Sequence, residues 1–306
     1  MTETKSLPVP DGLAGQRLDA ALAKMLGLSR SAAAEMCEAG LVRVDGVVAA
    51  KAQKVAADQW VEATLPAVVD RLEVVATDVP ELAIVYEDED LIVVDKPAGV
   101  AAHPSVGWDG PTVVGVLAAR GVRISTSGAA ERQGIVQRLD VGTSGLMMVA
   151  KSELAYSRLK QAFRDRTVHK VYHALVQGLP DPIEGTIDAP LGRHPKAEFK
   201  FAVMADGKPS ITHYKLLEAF GAASLLEIVL ETGRTHQIRV HMSTFKHPLV
   251  GDTMYGADPK LAARLGMEHQ WLHATELSFE HPVTGKQLTL HSPHPKQLEA
   301  VLEQLR

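Results

Sequence analysis

The amino-acid sequence predicts an α+β protein: a small helical hairpin with a short β-hairpin, then a larger domain in which strands and helices mix. Two helix-period segments near the N-terminus each stop at a glycine, Gly27 and Gly40. An Asp45-Gly46 dipeptide between short apolar runs marks a tight hairpin turn. Further on, strand-like runs follow one another without the regular strand–helix alternation of a doubly wound sheet.

Each element has its own signal. Arg17 to Leu26 carries helical apolar spacing and closes at Gly27, a suitable stop because glycine enters the left-handed region freely. Ser29 or Ser31 can cap a second helix through Met36 to Ala39, ended by Gly40. Leu41 to Val44 alternates like a strand, and Asp45-Gly46 turns the chain into Val47-Val48. These elements set a small domain over residues 13–70. Residues 71–80 show no firm period, contain Asp78 and Pro80, and read as a linker to a domain over 80–306. There, Leu82–Tyr86 and Leu91–Val94 flank the acidic turn Glu87 to Asp90 as a hairpin, and Pro104 to Pro111 reads as a loop. Ser152 caps a helix through Phe163, and Val171–Val176 and Leu225–Leu230 read as strands.

With 306 residues, 46% hydrophobic and 23% charged, the chain has the balance of a globular protein with a sizeable core. Its one cysteine, Cys37, precludes an internal disulfide and reads as a small core residue in an alanine-flanked helix. No run approaches the roughly 18 apolar residues of a membrane helix, and within Met1 to Asp11 no apolar run follows the only lysine, so no secretory signal is expected. A cytoplasmic protein with no membrane partner is expected. No surplus amphipathic helix asks for a second copy, so a monomer is expected. The net charge of -5 argues against a polyanionic partner, but it describes the whole surface and not one face. From Lys151 to Lys215 basic residues outnumber acids, so composition leaves the partner open.

Three clusters carry chemistry. Gln137-Arg138-Leu139-Asp140-Val141-Gly142-Thr143-Ser144-Gly145 precedes a buried-looking strand, Leu146 to Ala150. Such a loop, held on a rigid strand, can present a carboxylate at a cleft, or it can be a turn in which Asp140 and Thr143 satisfy local amides. Glu231 to His241 contains Gly233, Arg234 with its planar fork for a carboxylate or phosphate, and two histidines. With no metal-binding helix pattern and no cysteine pair, a metal is not expected. Ser144 lacks the Gly-x-Ser-x-Gly elbow of a serine nucleophile. Tyr172, in Lys170 to Gly178, alternates with Ala174 and Val176 on a strand, so it either packs in the core or offers its ring and phenol to a base.

Taken together, these stretches resemble the ordered motifs of RluA/RluD-type RNA pseudouridine synthases. The resemblance rests on Asp140 in Arg-Leu-Asp-x-x-Thr-Ser-Gly, on Lys170-x-Tyr172-x-Ala174-Leu175-Val176-x-Gly178, and on Gly233-Arg234-Thr235-His236-Gln237-Ile238-Arg239-Val240-His241. Asp95-Lys96-Pro97-Ala98-Gly99, His247 to Asp252 and Leu272-His273-Ala274 agree with it, and Gly15 to about Pro66 resembles a ribosomal-protein-S-four-like RNA-binding domain. One departure stands at Gln137, where the family commonly has histidine.

The resemblance implies a mixed, largely antiparallel sheet, a cofactor-free reaction, and RNA as partner. It makes Asp140 the catalytic carboxylate, attacking C1′ of the ribose or C6 of the uracil, or assisting a glycal route. It makes Arg234 the partner of Asp140 and Tyr172 the residue that stacks on the uracil and assists loss of its C5 proton. Arg138 and Thr143 are expected at the RNA, with Arg17, Arg30, Arg43, Lys51 and Lys54 of the small domain docking phosphates. The attached S-four-like domain favours large-subunit ribosomal RNA over tRNA as substrate. A non-catalytic ribosome-assembly factor would be expected to have lost Asp140, Tyr172 or Arg234, and a glycosidase-like hydrolase needs a second carboxylate that the Asp140 loop lacks.

Overall fold

The computed structural model describes residues 3–28, 30–65, 73–197 and 199–306, without the side chains of Glu3 and Ser31. Two compact units divide the chain, Met1–Arg71 and Leu72–Arg306.

In the first unit, strand β1 (Glu3–Pro8) precedes helices α1 (Leu18–Leu26) and α2 (Arg30–Glu38), followed by β2 (Val42–Val44), β3 (Val47–Val48) and β4 (Trp60–Leu65). The sheet order is β1-β4-β2-β3. Helix α1 ends at Gly27, whose φ of 67° lets the chain reverse. Asp45 and Gly46 have φ of 50° and 80°, the signs that a two-residue hairpin of this hand requires. Leu18, Ala21 and Leu22 of α1 pack with Ala33, Met36 and Cys37 of α2 on Val42, Val44 and Val61. The expected caps fall outside the description, since Ser29 and the Ser31 side chain are not among the described atoms. Strand β1 lies ahead of the expected start at residue 13. Thr4 to Pro8 are all exposed on this edge strand, so no buried–exposed alternation is written into them.

The second unit contains β5 (Ala83–Glu87), β6 (Leu91–Lys96), α3 (Val113–Ala119), β7 (Ser144–Ala150), α4 (Glu153–Asp165) and β8 (His169–Gln177). Then come β9 (Glu184–Asp188), β10 (Leu191–Arg193), β11 (Phe201–Val203), β12 (Ile211–Ala219), β13 (Ala223–Leu230) and α5 (Gln237–Thr244). The unit closes with α6 (Pro259–Arg264), β14 (Leu272–Glu280), β15 (Gln287–His291) and α7 (Lys296–Leu305). The main sheet runs β5-β6-β7-β14-β8-β13-β12-β9, with β15 beside β14 and β10-β11 as a separate pair. Among the described strands only β7 and β14 pair in parallel, so the fold is the mixed, largely antiparallel α+β arrangement.

Both faces of the sheet are covered. Ile92, Val94, Met147 and Val149 meet α3 and α5 on one face, while Leu91, Val93, Leu146 and Met148 meet Leu159 of α4 on the other. That double burial is why β6 and β7 are continuous apolar runs. Ser152 caps α4 by accepting the Ala155 N–H at 3.1 Å.

The described residues of the expected linker are packed. Arg120 donates to the carbonyls of Val79 and Leu82 at 2.7 Å each and to Asp78 at 3.1 Å, and Val79 rests on the core. The second unit therefore starts before residue 80.

Candidate active site

The site lies where β7 and β14 begin side by side. The loop leading into β7 is pinned from several directions. Thr143 N–H closes a turn on the Asp140 carbonyl at 3.0 Å, and Gly99 N–H donates to the Val141 carbonyl at 2.9 Å. Lys96, at 0% exposure, spends its ammonium on the carbonyls of Pro97, Val100 and Val141 at 3.0, 2.7 and 3.2 Å. Burial draws the Lys96 pKa down to about 7, opposed by the charges of Asp140 and Asp95. Below the loop, Ser144 Oγ and His273 Nδ1 are 2.8 Å apart, and His273 Nε2 lies 3.2 Å from the Ser292 carbonyl. That carbonyl can only accept, so Nε2 carries the proton and the Ser144 hydroxyl donates to Nδ1.

So fixed, the Asp140 carboxylate is about one-quarter exposed, at 23%, on a cleft of about 930 Å³. Arg239, in the first turn of α5, donates Nη1 to Asp140 Oδ2 at 3.2 Å. Its Nε and Nη2 clasp both oxygens of the buried Asp252 at 2.7 and 2.9 Å. Burial alone would lower the Arg239 pKa, but the hydrogen bonds and charges of Asp252 and Asp140 outweigh it and raise the value. The guanidinium also stacks over Tyr255, 4.9 Å from the ring centre.

His236 approaches Asp140 from the other side, with Nε2 3.9 Å from Oδ1. It caps α5 with φ of 57°, a left-handed conformation uncommon for a non-glycine residue. Tyr255 Oη accepts the Phe201 N–H at 2.9 Å and lies 2.7 Å from His236 Nδ1. With Nδ1 held by this phenol, the Nε2 edge of the ring faces Asp140. Burial lowers the His236 pKa, which keeps the ring neutral.

Tyr172 lines a smaller pocket of about 80 Å³ with Asp140, Arg138 and Leu272. Burial first, then the nearby Asp140 charge, push its phenol pKa up. Arg138 is exposed on the cleft, donating Nη2 to the Thr235 hydroxyl at 3.2 Å.

Two expectations need correction. Arg234 lines the cleft but donates Nε to the Pro209 carbonyl at 3.3 Å; the cation on Asp140 is Arg239. Thr143 is buried at 2% and accepts the Gln270 amide at 3.0 Å, so it supports the loop from beneath. The sequence held a clue to Arg239: a cation between Ile238 and Val240 on an apolar helix face is buried only with a partner. Asp252, 13 positions downstream by sequence, carries no comparable signal, because only the fold brings it to α5.

In the first unit, Arg17 donates to Asp19 at 3.2 and 2.8 Å, and Arg30 lies 3.4 Å from the same carboxylate. Hydrogen bonding from Arg17 holds the Asp19 pKa down at about 2, against its burial. Lys51 bonds Glu38, Arg43 bonds the Gly46 carbonyl at 3.0 Å, and Lys54 is exposed.

Comparison with known proteins gives the family. Residues 90–244 match the family model described as RNA pseudouridylate synthase, and residues 16–61 match that of the S4 domain. The chain belongs to the RNA pseudouridine synthase family. A Mycobacterium bovis protein named an uncharacterized RNA pseudouridine synthase is 57% identical, over 99% of this chain and 98% of its own. A ribosomal large subunit pseudouridine synthase D of Nitrosomonas europaea is 42% identical, over 99% of this chain and 88% of its own. Among solved structures, human RNA pseudouridylate synthase domain containing 1 superposes with a TM-score of 0.58 at 29% identity, covering 72% of this chain and 86% of that one. As a member of this family the synthase is an isomerase acting on RNA. No described helix of it is long and apolar enough to cross a membrane.

Proposed function

We propose that this synthase isomerises specific uridines of large-subunit ribosomal RNA to pseudouridine, with Asp140 as its catalytic carboxylate. The observation that carries the reading is Asp140 itself: a carboxylate gripped by Arg239, with Tyr172 beside it, on a cleft wide enough for a nucleotide. The ribosomal substrate is supported by relatives named ribosomal large subunit pseudouridine synthase D at 39 to 42% identity.

Isomerisation breaks the bond from C1′ to N1 and forms one from C1′ to C5. A carboxylate suits a step that builds positive charge on the sugar, either by covalent attack or by stabilising the ion. Arg239 holds that carboxylate in place through its Nη1 hydrogen bond. The target uridine leaves its stack, at a cost of a few kcal/mol, so loop and bulge uridines are favoured. Tyr172 supplies a ring face for the uracil, and Arg138 stands at the mouth, where a displaced strand passes. The first unit, similar to an S4 domain over residues 16–61, orients the RNA.

The test is to incubate wild-type and Asp140→Asn protein with unmodified ribosomal RNA and map carbodiimide-dependent reverse-transcription stops. The reading expects stops at one or a few loop uridines with the wild type alone. Equal stops with the variant would remove Asp140 from its role, and stops on tRNA alone would replace the substrate.

A further inference from the structure

Three of the five cations expected to dock RNA in the first unit are tied to acids, Arg17 and Arg30 to Asp19 and Lys51 to Glu38, while Arg43 bonds the Gly46 carbonyl and Lys54 is exposed. The cleft is different. Arg132 on the loop before β7, Arg138 beside Asp140, and Lys160 on α4 line the larger of the two described cavities that Asp140 borders. Among the described residues no carboxylate reaches ion-pair distance of Arg138 or Lys160, and Arg132 has only its neighbour Glu131 at 3.6 Å. These cations sense one another. Burial, then the charges of Arg132, Arg138 and Arg164, lower the Lys160 pKa, and the same two arginines add to the burial that lowers His103. Like charges gathered this closely repel unless an anion joins them.

The supports are rigid. Glu153, in the first turn of α4, accepts Thr126 N–H at 2.7 Å and the Ser127 hydroxyl, which ties the loop carrying Arg132 to the helix carrying Lys160. Arg138 stands two residues before Asp140 on the pinned loop. On a protein with net charge -5, a convergent set of cations facing the reactive carboxylate needs a polyanion to match it.

We propose that Arg132, Arg138 and Lys160 form a phosphodiester-binding wall that grips the RNA backbone beside the nucleotide presented to Asp140. This rests on the RNA-modifying reading above and locates the main phosphate grip in the cleft. Contacts of this kind fix register without reading bases.

The test measures binding of an unmodified large-subunit ribosomal RNA transcript between about 50 and 200 mM salt, a range where phosphate contacts dominate the change in affinity. Four proteins are compared: wild type, Arg132→Gln with Lys160→Gln, Arg17→Gln with Lys51→Gln, and Lys160→Arg. On a single strand each lost phosphate contact lowers the slope of log affinity against log salt by about 0.7, so the cleft pair should lose about 1.4. The first-unit pair should lose less, and Lys160→Arg should keep the wild-type slope. KM should rise for the cleft pair while kcat at saturating RNA changes far less. A wild-type slope in the cleft pair would overturn the wall. If that pair melts early, Lys160→Gln alone, on an exposed helix position, is read instead, with an expected loss of about 0.7. Because binding is read without turnover, a wild type that binds but makes no pseudouridine defeats the proposed reaction and leaves the wall to be judged on its slope.

Discussion

Arg239 Nη1 stands 3.2 Å from Asp140 Oδ2, and the opposite edge of the same guanidinium is locked onto Asp252. Asp252 is buried at 2%, so it cannot relax toward water, and the planar fork it holds fixes where the third N–H points. The direction of the Asp140 carboxylate is set by a residue pair that never has to touch substrate.

Arg239→Lys therefore keeps a positive charge but cannot span both carboxylates. Its kcat should fall about tenfold or more, roughly 1.4 kcal/mol of lost positioning. Arg239→Ala leaves Asp252 buried without a partner and should cost about 3–5 kcal/mol of stability. Arg234→Lys should do neither, since among the described residues the Arg234 side chain bonds the Pro209 carbonyl and no carboxylate. Single-turnover rates and urea unfolding measure the two effects separately. A wild-type rate in Arg239→Lys would show that the ion pair does not orient Asp140.

Gly145 opens the parallel pairing of β7 and β14 with φ of 108°. A Cβ there would fall 2.4 Å from the Ala274 carbonyl oxygen and 2.5 Å from its nitrogen, backbone atoms that cannot swing aside. Gly145→Ala should cost more than about 4 kcal/mol or prevent folding. Gly221→Ala, at φ of 74° with nothing within 4 Å, should cost only about 1 kcal/mol. Urea midpoints that are equal for the two would mean that β14 yields.

The contrast between these positions shows what the sequence could say. Local signals read through correctly: Gly27 ends α1, Asp45-Gly46 turns β2 into β3, and Ser152 caps α4. Each depends on atoms within a few residues. Strand β1 was not legible because its described side chains are exposed, and hydrophobic period cannot mark a strand that buries neither face. Residues 75–79 look like a linker in composition, yet Arg120, some forty positions away, ties them to α3. At the site, Asp140, Tyr172 and Arg138 meet on one pocket, whereas the cation on Asp140 depended on the orientation of α5, which starts only at Gln237. Arg234 and Arg239 stand five positions apart, and only the fold chooses between them.

The buried histidines make stability depend on acid. His273 is at 0% exposure, and burial holds its pKa down at about 4; His173 is held down at about 4 as well, by burial and then by His294. The unfolded chain takes up these protons near pH 6.5, before the folded protein does. Their contribution is therefore complete above about pH 6.5 and is lost as the pH falls toward about 4. For His273 the shift corresponds to about 3 kcal/mol. Urea midpoints of wild type should drop across this window, and His273→Asn should start less stable but show a shallower drop. A drop of equal depth in the variant would assign the acid sensitivity elsewhere.

Tyr172 should behave as a phenol throughout the working range. Burial and the Asp140 charge raise its pKa, so no phenolate forms where ordinary tyrosines, near pH 10, ionise. Any part it takes in moving the uracil C5 proton is then played with its O–H in place, and a base drawn from it would have to be regenerated at once. The check is the tyrosinate absorbance of wild type against Tyr172→Phe between about pH 9 and 11. The two titrations should coincide, because the residue removed by the substitution contributes nothing over that range. Stability should also fall as pH rises above about 10, since the unfolded chain then releases a proton that folded Tyr172 retains. An extra tyrosinate in the wild type below about pH 10 would show that the phenol ionises readily and is available as a base.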